Sequence, residues 1–205
     1  MGLFGHTNSD AVIERVGLEN VDISGYTSVG GVVGYNNGTV TESYVTGLVE
    51  YGGDSGPTGY YFGGLVGHNE GTLNKSYATT SVWGGEYVGG LVGSNDGMVT
   101  ESYATNTVSA DGNIYGGLIG MSYSSGTVEN SYWDKDTTGQ SSSYGGTGLT
   151  TSEMKGDAAT ENMNISFTNS WAVVATTEIS YPYLQTNTQS PAPGLESAFA
   201  GGDGS

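Results

Sequence analysis

The chain has no cysteine, which excludes disulfides, thiolate nucleophiles and sulfur-bound metals together. Cations are almost as scarce. Arg15, Lys75, Lys135 and Lys155 stand against 21 Asp and Glu, for a formal net charge of −17. A nucleic-acid binder needs a basic stripe to displace counterions, and these scattered cations cannot form one. An anionic membrane surface is disfavoured for the same reason. No apolar run approaches the roughly 18 residues of a membrane-spanning helix. No basic segment followed by an apolar one opens the chain, so a signal peptide is not expected in it. Neither membrane insertion nor nucleic-acid binding is expected.

What charge there is has nearly one sign. Such a surface repels itself at moderate salt, and the penalty largely vanishes at molar salt, where the Debye length falls to about 3 Å. Few lysines, many acids and few large aliphatics point to halophilic adaptation, with an acidic secreted protein from an ordinary habitat as the alternative.

Glycine is abundant, at 37 of 205 residues, against a usual share of about 7%. Its distribution is periodic. Gly30-Gly31-Val32-Val33-Gly34 recurs at Gly63–Gly67, Gly89–Gly93 and Gly116–Gly120, in steps of 33, 26 and 27 residues. Gly2-Leu3-Phe4-Gly5 is a degenerate earlier copy. Asn36, Asn69 and Asn95 follow their blocks, with Ser122 in the fourth copy, and each unit closes on Ser-Tyr, at Tyr44, Tyr77, Tyr103 and Tyr132. The extra residues of the long step fall in Tyr51–Pro57.

A conserved spacing with variation in one place describes stacked coils carrying an insertion loop. The apolar runs are short and bounded by Gly and Asn-Gly, as strands are, and glycines inside helices would cost about 1 kcal/mol each. The expected fold is all-β: a parallel β-solenoid (β-helix) of about four to five coils over residues 1–133, with a degenerate first coil at 1–28. Gly31, Gly34, Gly64, Gly67, Gly90, Gly93, Gly117 and Gly120 are expected where the backbone turns with positive φ or where coils approach closely. Asn36, Asn69 and Asn95 are expected to stack at a corner, each amide capping the turn above, since asparagine tolerates left-handed backbone. Glu42, Lys75 and Glu101 share one place in successive units, which puts Lys75 between two carboxylates. The row Tyr44, Tyr77, Tyr103 and Tyr132 reads as a packed structural ladder, with a carbohydrate platform as the alternative.

At these residues the sequence resembles the GLUG-repeat family, named for a Gly-Leu-x-Gly core. Gly64-Leu65-Val66-Gly67, Gly90-Leu91-Val92-Gly93 and Gly117-Leu118-Ile119-Gly120 match it, and Gly31-Val32-Val33-Gly34 departs by one aliphatic swap. Ser76-Tyr77-Ala78-Thr79 and Ser102-Tyr103-Ala104-Thr105 are close copies of a second family element. Such repeats occur in large bacterial and archaeal surface proteins, in adhesin-like exoproteins resembling filamentous haemagglutinin, and beside the protease domain of IgA-specific metallopeptidases. The resemblance implies a secreted or surface-displayed β-helical stalk or adhesive module and no catalytic residues.

The period breaks after Trp133. A polar loop leads to Leu149–Lys155, where Thr151 or Ser152 suits a helix cap. A Trp171-Ala172-Val173-Val174 strand and a Tyr181-Pro182-Tyr183-Leu184 strand follow, and resemble the segment that closes such arrays. Residues 134–185 are expected to form a β-rich cap on the last coil, with Trp171 and Tyr183 packed on it, because an open coil exposes unpaired backbone groups. Residues 186–205 have a linker composition. The chain opens inside a repeat, so a fragment or a docked subunit is expected.

Reactive constellations are missing. The two histidines, His6 and His68, follow equivalent glycines two coils apart, so neither a metal site nor a Ser-His-Asp arrangement is expected. Asn95-Asp96-Gly97 and Asp134-Lys135-Asp136-Thr137 offer oxygen ligands for calcium, weakly. Glu42 and Glu101 read as surface acids rather than as a glycosidic pair. Asn37, Asn74 and Asn164 head sequons and are candidate N-glycosylation acceptors. The expected function is a non-enzymatic extracellular structural or adhesive module, with a protein or glycan partner on a cell surface or particle, alone or in a homo-oligomer or head-to-tail assembly. The alternatives are a spike, fibre or capsid component of a halophilic virus, and a polysaccharide-active β-helix enzyme.

Overall fold

Four rows of short parallel strands wind into five coils. The computed structural model describes residues 1–53, 59–175, 179–187, 189 and 192–194. The first sheet stacks Phe4–Thr7, Val33–Asn36, Val66–Asn69, Val92–Asn95 and Ile119–Ser122. The second stacks Val12–Glu14, Thr39–Thr41, Thr72–Asn74, Met98–Thr100 and Thr127–Glu129. The third runs from Gly17–Gly25 through Tyr44–Tyr51, Tyr77–Gly84, Tyr103–Thr105 and Tyr132–Asp134 to Thr147–Leu149. The fourth joins Val29–Gly30, Tyr60–Gly63, Glu86–Gly89 and Tyr115–Gly116. Each strand therefore bonds to its counterpart one coil away, which satisfies backbone groups without any local hairpin. The insertion at Tyr51–Pro57 falls partly outside the described residues.

Register keeps like residues on like. Val33 pairs with Val66, Val66 with Val92 and Val92 with Ile119. Val32, Leu65, Leu91 and Leu118 form a second column, and all four are wholly buried; each such side chain contributes about 1.5–3 kcal/mol. Across the coil, Gly31, Gly64 and Gly90 face Val45, Ala78 and Ala104, where an added β-carbon would come within 2.6, 2.8 and 2.9 Å of side-chain carbon. The two walls close at this point. It separates an apolar column built on the Leu and Val rows from a second one of Val29, Val49, Phe62, Val82, Val88 and Val108.

The glycines serve close approach and not turning. None of the repeat glycines Gly31, Gly34, Gly64, Gly67, Gly90, Gly93, Gly117 or Gly120 has a positive φ. Gly67 shows their use, since a β-carbon there would lie 2.6 Å from the Gly34 carbonyl oxygen and from the Val29 nitrogen. The turning is done elsewhere. Arg15, Glu42, Lys75, Glu101 and Asn130 all have φ between 43° and 55° and form one left-handed corner, directly before each Ser (Val16 in the first coil). The asparagines stack at a different place, ending the first-sheet strands, and have ordinary backbone there.

The end of the array is closed in two parts. Gly117 and Tyr144 exchange backbone bonds with Ser142 and Ile119, Ser143 Oγ accepts from Leu118 and Ile119 N–H, and Thr147–Leu149 pairs with Tyr132–Asp134. Trp133 takes the place that Ala78 and Ala104 hold in earlier coils and fills the last one. The described residues of 150–194 then turn back along the flank. Trp171 packs on the third and fourth coils, its ring 5.9 and 5.7 Å from those of Tyr77 and Tyr103, in a cluster that also holds Tyr132 of the last coil. Tyr183 pairs with Ala172 in a small antiparallel ladder, and Tyr181 takes the place expected for it, against Tyr103. The linker expected from residue 186 onward is, over its described part, a strap: Thr186 donates to Glu42, Tyr77 to Gln189, and Asn187 to the Glu42 carbonyl. Thr150, not Thr151 or Ser152, bonds Glu153 in the turn at 150–154.

Candidate functional site: two aromatic flanks and an amide ladder

The asparagine row forms a continuous amide chain. Asn36 Nδ2 donates to Asn69 Oδ1 and Asn69 Nδ2 to Asn95 Oδ1, both at 2.8 Å. Each amide caps its own turn and also reaches the turn of the next coil: Asn36 Nδ2 donates to Gly38 O and, at 3.5 Å, to Thr72 O, Asn69 and Asn95 repeat the pattern with Met98 O and Thr127 O, and Gly38 N–H reaches Asn36 Oδ1. Thr7 closes the row at one end by donating to Asn36 Oδ1. All three amides are fully buried, so this row is structural.

The first aromatic flank is the Ser-Tyr row. Tyr44, Tyr77 and Tyr103 stack at 5.1 Å with rings 8° and 1° from parallel. Trp171, Tyr181, Leu184, Met154 and Met163 cover the row and bury it, which removes it as a carbohydrate platform. Burial pushes the Tyr77 and Tyr103 hydroxyls well above their ordinary value, and burial with a bond to Glu19 does the same for Tyr44. Tyr103 Oη donates to the Pro182 carbonyl, and Tyr132 Oη accepts from Asn164 N–H.

The second aromatic flank is open. His6, Tyr35 and His68 occupy one register position in successive coils. The Tyr35 and His68 rings stack at 4.7 Å, 3° from parallel. Tyr61 meets His68 edge-on at 5.0 Å and stacks on Tyr87 at 5.3 Å. Both tyrosines have left-handed backbone, φ 68° and 57°, which throws their side chains onto this face. Two carboxylates border it. Tyr35 Oη donates a short bond to Glu70, and His68 Nε2 lies 3.4 Å from Asp96 and 3.7 Å from Glu70. The Glu70 bond pushes Tyr35 up to about 12. Burial holds the His68 imidazole below its ordinary value, against the pull of Asp96 and Glu70. Tyr60 and Tyr123 stand exposed on the margin. The sequence reading gave the histidines to the repeat and missed this cluster; the signal was the residue after each third glycine, aromatic or imidazole in three successive units.

The remaining candidates separate. Lys75 stands in register between Glu42 and Glu101, yet among the described residues the ion pairs run from Arg15 to Glu14 and Glu42 and from His68, none from Lys75. Glu42 is engaged by Arg15 and Thr186, and Glu101 accepts from Ser166 N–H. Asp134 is fully buried as the cap of a short helix, Lys135–Thr138. One of its oxygens takes Asp136 and Thr137 N–H, and the other takes the Thr151 and Tyr181 hydroxyls. With Asp134 so occupied and the Asn95 amide in the ladder, the calcium candidates do not converge, and among the described residues no cluster of three His, Cys, Asp or Glu could hold a metal. Asn37, Asn74 and Asn164 reach the surface to different extents; the first two are half-buried and Asn164 is exposed, its amide bonded to Asn130. No helix of the described residues is long and apolar enough to cross a membrane.

This geometry defines the chain as a parallel β-solenoid. It carries the GLUG motif: residues 84–109, one full turn of the stack, match the family described as "The GLUG motif". A "Putative Gly-rich membrane protein" of Evansella cellulosilytica is 46% identical over 61 residues, 28% of this chain and 7% of that protein. "Halomucin" of Haloquadratum walsbyi is 45% identical over 85 residues, 40% of this chain and 1% of that protein. The chain thus matches only a small part of the length of these relatives. A crystal structure described as a "putative immunoglobulin A1 protease" from Bacteroides ovatus shares the fold at a TM-score of 0.60 and 17% identity, over 89% of this chain and 74% of that one.

Proposed function

We propose that the chain is a non-catalytic structural or adhesive module of an extracellular surface protein from a salt-rich habitat. The observation that carries this reading is the contrast between the two aromatic flanks. One is strapped shut, while the other leaves Tyr35, Tyr61 and Tyr87 part-exposed beside Glu70 and Asp96 on a stiff, filled rod. An exposed aromatic surface with polar edges suits a glycan or protein partner. The names of the relatives, a Gly-rich membrane protein and a halomucin, support a surface setting, and the charge of −17 supports high salt.

The test is binding and turnover on a panel of neutral, amino and acidic polysaccharides in molar salt. Retention on one class, lost in Tyr61→Ala and Tyr87→Ala with folding intact, is expected. Turnover abolished by a single carboxylate substitution would replace this reading with an enzyme. Dialysis to ~10 mM ionic strength tests the habitat: loss of structure is expected, and complete folding there speaks against a halophile.

A further inference from the structure

The third glycine of each block has one job inside the stack. A β-carbon on Gly34 would lie 2.7 Å from the Gly5 carbonyl oxygen and 2.6 Å from Met1 N. On Gly67 it would meet the Gly34 carbonyl and the Ser28–Val29 backbone at 2.6 Å, and on Gly93 the Gly67 carbonyl and the Tyr61–Phe62 backbone at 2.5–2.6 Å. Gly120 repeats the pattern with the Gly93 carbonyl and the Tyr87–Val88 backbone. Each is glycine because the coil before it, with the left-handed corner leading into that coil, presses directly on its α-carbon. Gly5 belongs to this column, pairing next to Phe4↔Val33 and His6↔Tyr35. Nothing lies within 4 Å of the corresponding point at Gly5.

The neighbours of Gly5 tell the same story. Leu3 stands in the column of Val32, Leu65, Leu91 and Leu118, all fully buried, yet is 54% exposed. Phe4 stands in the column of Val33, Val66, Val92 and Ile119, also fully buried, and is 41% exposed. The strands Phe4–Thr7, Val12–Glu14 and Gly17–Gly25 end three of the parallel sheets and bond on one side only, and the fourth ends at Val29–Gly30 with Met1 bonded along its outer side. Two shallow grooves open on this face, about 600 Å³ beside Phe4, Thr7 and Ile13 and about 440 Å³ beside Leu3, Leu18 and Ile23.

We infer that the face of the first coil is a docking surface for one further coil of the same repeat, whose strands extend the three open-ended sheets and whose preceding left-handed corner seats on Gly5. The occupant is set by geometry: a parallel rung with a backbone carbonyl over Gly5 and apolar side chains over Leu3 and Phe4. It is the coil-to-coil interface already made four times in this chain, continued once more. A second copy of this chain does not meet the requirement, because residues 140–149 and Trp133 close its last rung.

The test adds the coil and removes the socket. A copy of residues 59–88, which includes the Tyr61–Phe62 corner, is joined ahead of Met1 of the full chain, so that seating costs no association entropy. The melting temperature is expected to rise by several degrees, and the amides of 4–7, 12–14 and 17–25 should slow in hydrogen exchange. Gly5→Val is expected to leave the original chain unchanged and to cancel the gain in the extended one, whereas Gly67→Val destabilises both. An added coil that melts independently without protecting the first-coil amides overturns the inference. So does a gain that survives Gly5→Val.

Discussion

The Trp133 indole lies over the α-carbon of Gly117, so close that a β-carbon there would sit 2.0 Å from indole Cδ1. In the coils before it, the side chain nearest the same glycine is a valine or an alanine. The last coil thus replaces a missing neighbour with a large ring, held by a 2.9 Å bond from its Nε1 to the Gln140 carbonyl. Trp133→Ala should cost about 3–5 kcal/mol, and Gly117→Ala should destabilise too, because its β-carbon would press on the indole. Urea unfolding of the two variants at fixed salt measures both losses.

Asn69 is the middle of the amide row, bonded to Asn36 on one side and Asn95 on the other. Asn69→Leu removes one bond from each of two buried amides, the acceptor of Asn36 Nδ2 and the donor to Asn95 Oδ1, at about 1–3 kcal/mol each. Thr7→Val, at the end of the row, removes the donor to Asn36 Oδ1 and the acceptor of the Asn37 and Gly38 N–H groups and should destabilise as well. The fall in denaturation midpoint of each variant checks the ladder.

Tyr77 and Tyr103 have folded values raised above the ordinary 10.0. Their contribution to stability is therefore complete below pH 10 and is lost as pH climbs past it, because the unfolded chain ionises first. Alkaline unfolding monitored by tyrosinate absorbance should begin above about pH 10, and Tyr103→Phe should shift its onset upward.

His68 behaves in the opposite sense. Its folded value is lowered from 6.5. Above that pH both states are neutral and nothing is gained or lost; as pH falls through 6.5 the unfolded chain takes the proton first, and the fold weakens until His68 itself is protonated. The groups facing it are Tyr35, Tyr61, Glu70 and Asp96. Chemical unfolding of wild type and His68→Gln between pH 8 and 5 should show the acid loss in the former alone.

Lys75 holds a left-handed φ of 46° with no ion pair among the described residues to compensate. Such backbone costs a side chain roughly 1–2 kcal/mol. Lys75→Asn, the residue type already at Asn130 in this corner, should stabilise by about 0.5–1 kcal/mol in molar salt, measured as a shift in thermal midpoint.

The stack of coils was legible in the sequence because identical residues recur in phase, and parallel pairing puts Gly on Gly, Val on Val and Tyr on Tyr. The sense of the glycines was not: composition cannot distinguish a glycine needed for φ from one needed for proximity, and here it is Glu42, Lys75 and Glu101 that take the left-handed corner. Trp133 as a plug and Trp171 as a flank residue were equally hidden, since neither repeats. The open flank was missed because its column mixes His6, Tyr35, His68 and Ser94, residue types that share a face without sharing a letter.

The bond from Thr186 to Glu42 joins residues 144 apart. A ladder of rungs that touch only their neighbours can lose them one at a time from either extremity. A belt running from the fifth rung back to the second denies that path, because a rung cannot leave without tearing the belt from those behind it. Melting should accordingly be a single all-or-none event over most of the chain, with calorimetric and van't Hoff enthalpies in agreement. On that expectation the periodic part of the molecule melts as one unit because the part without a period ties it together.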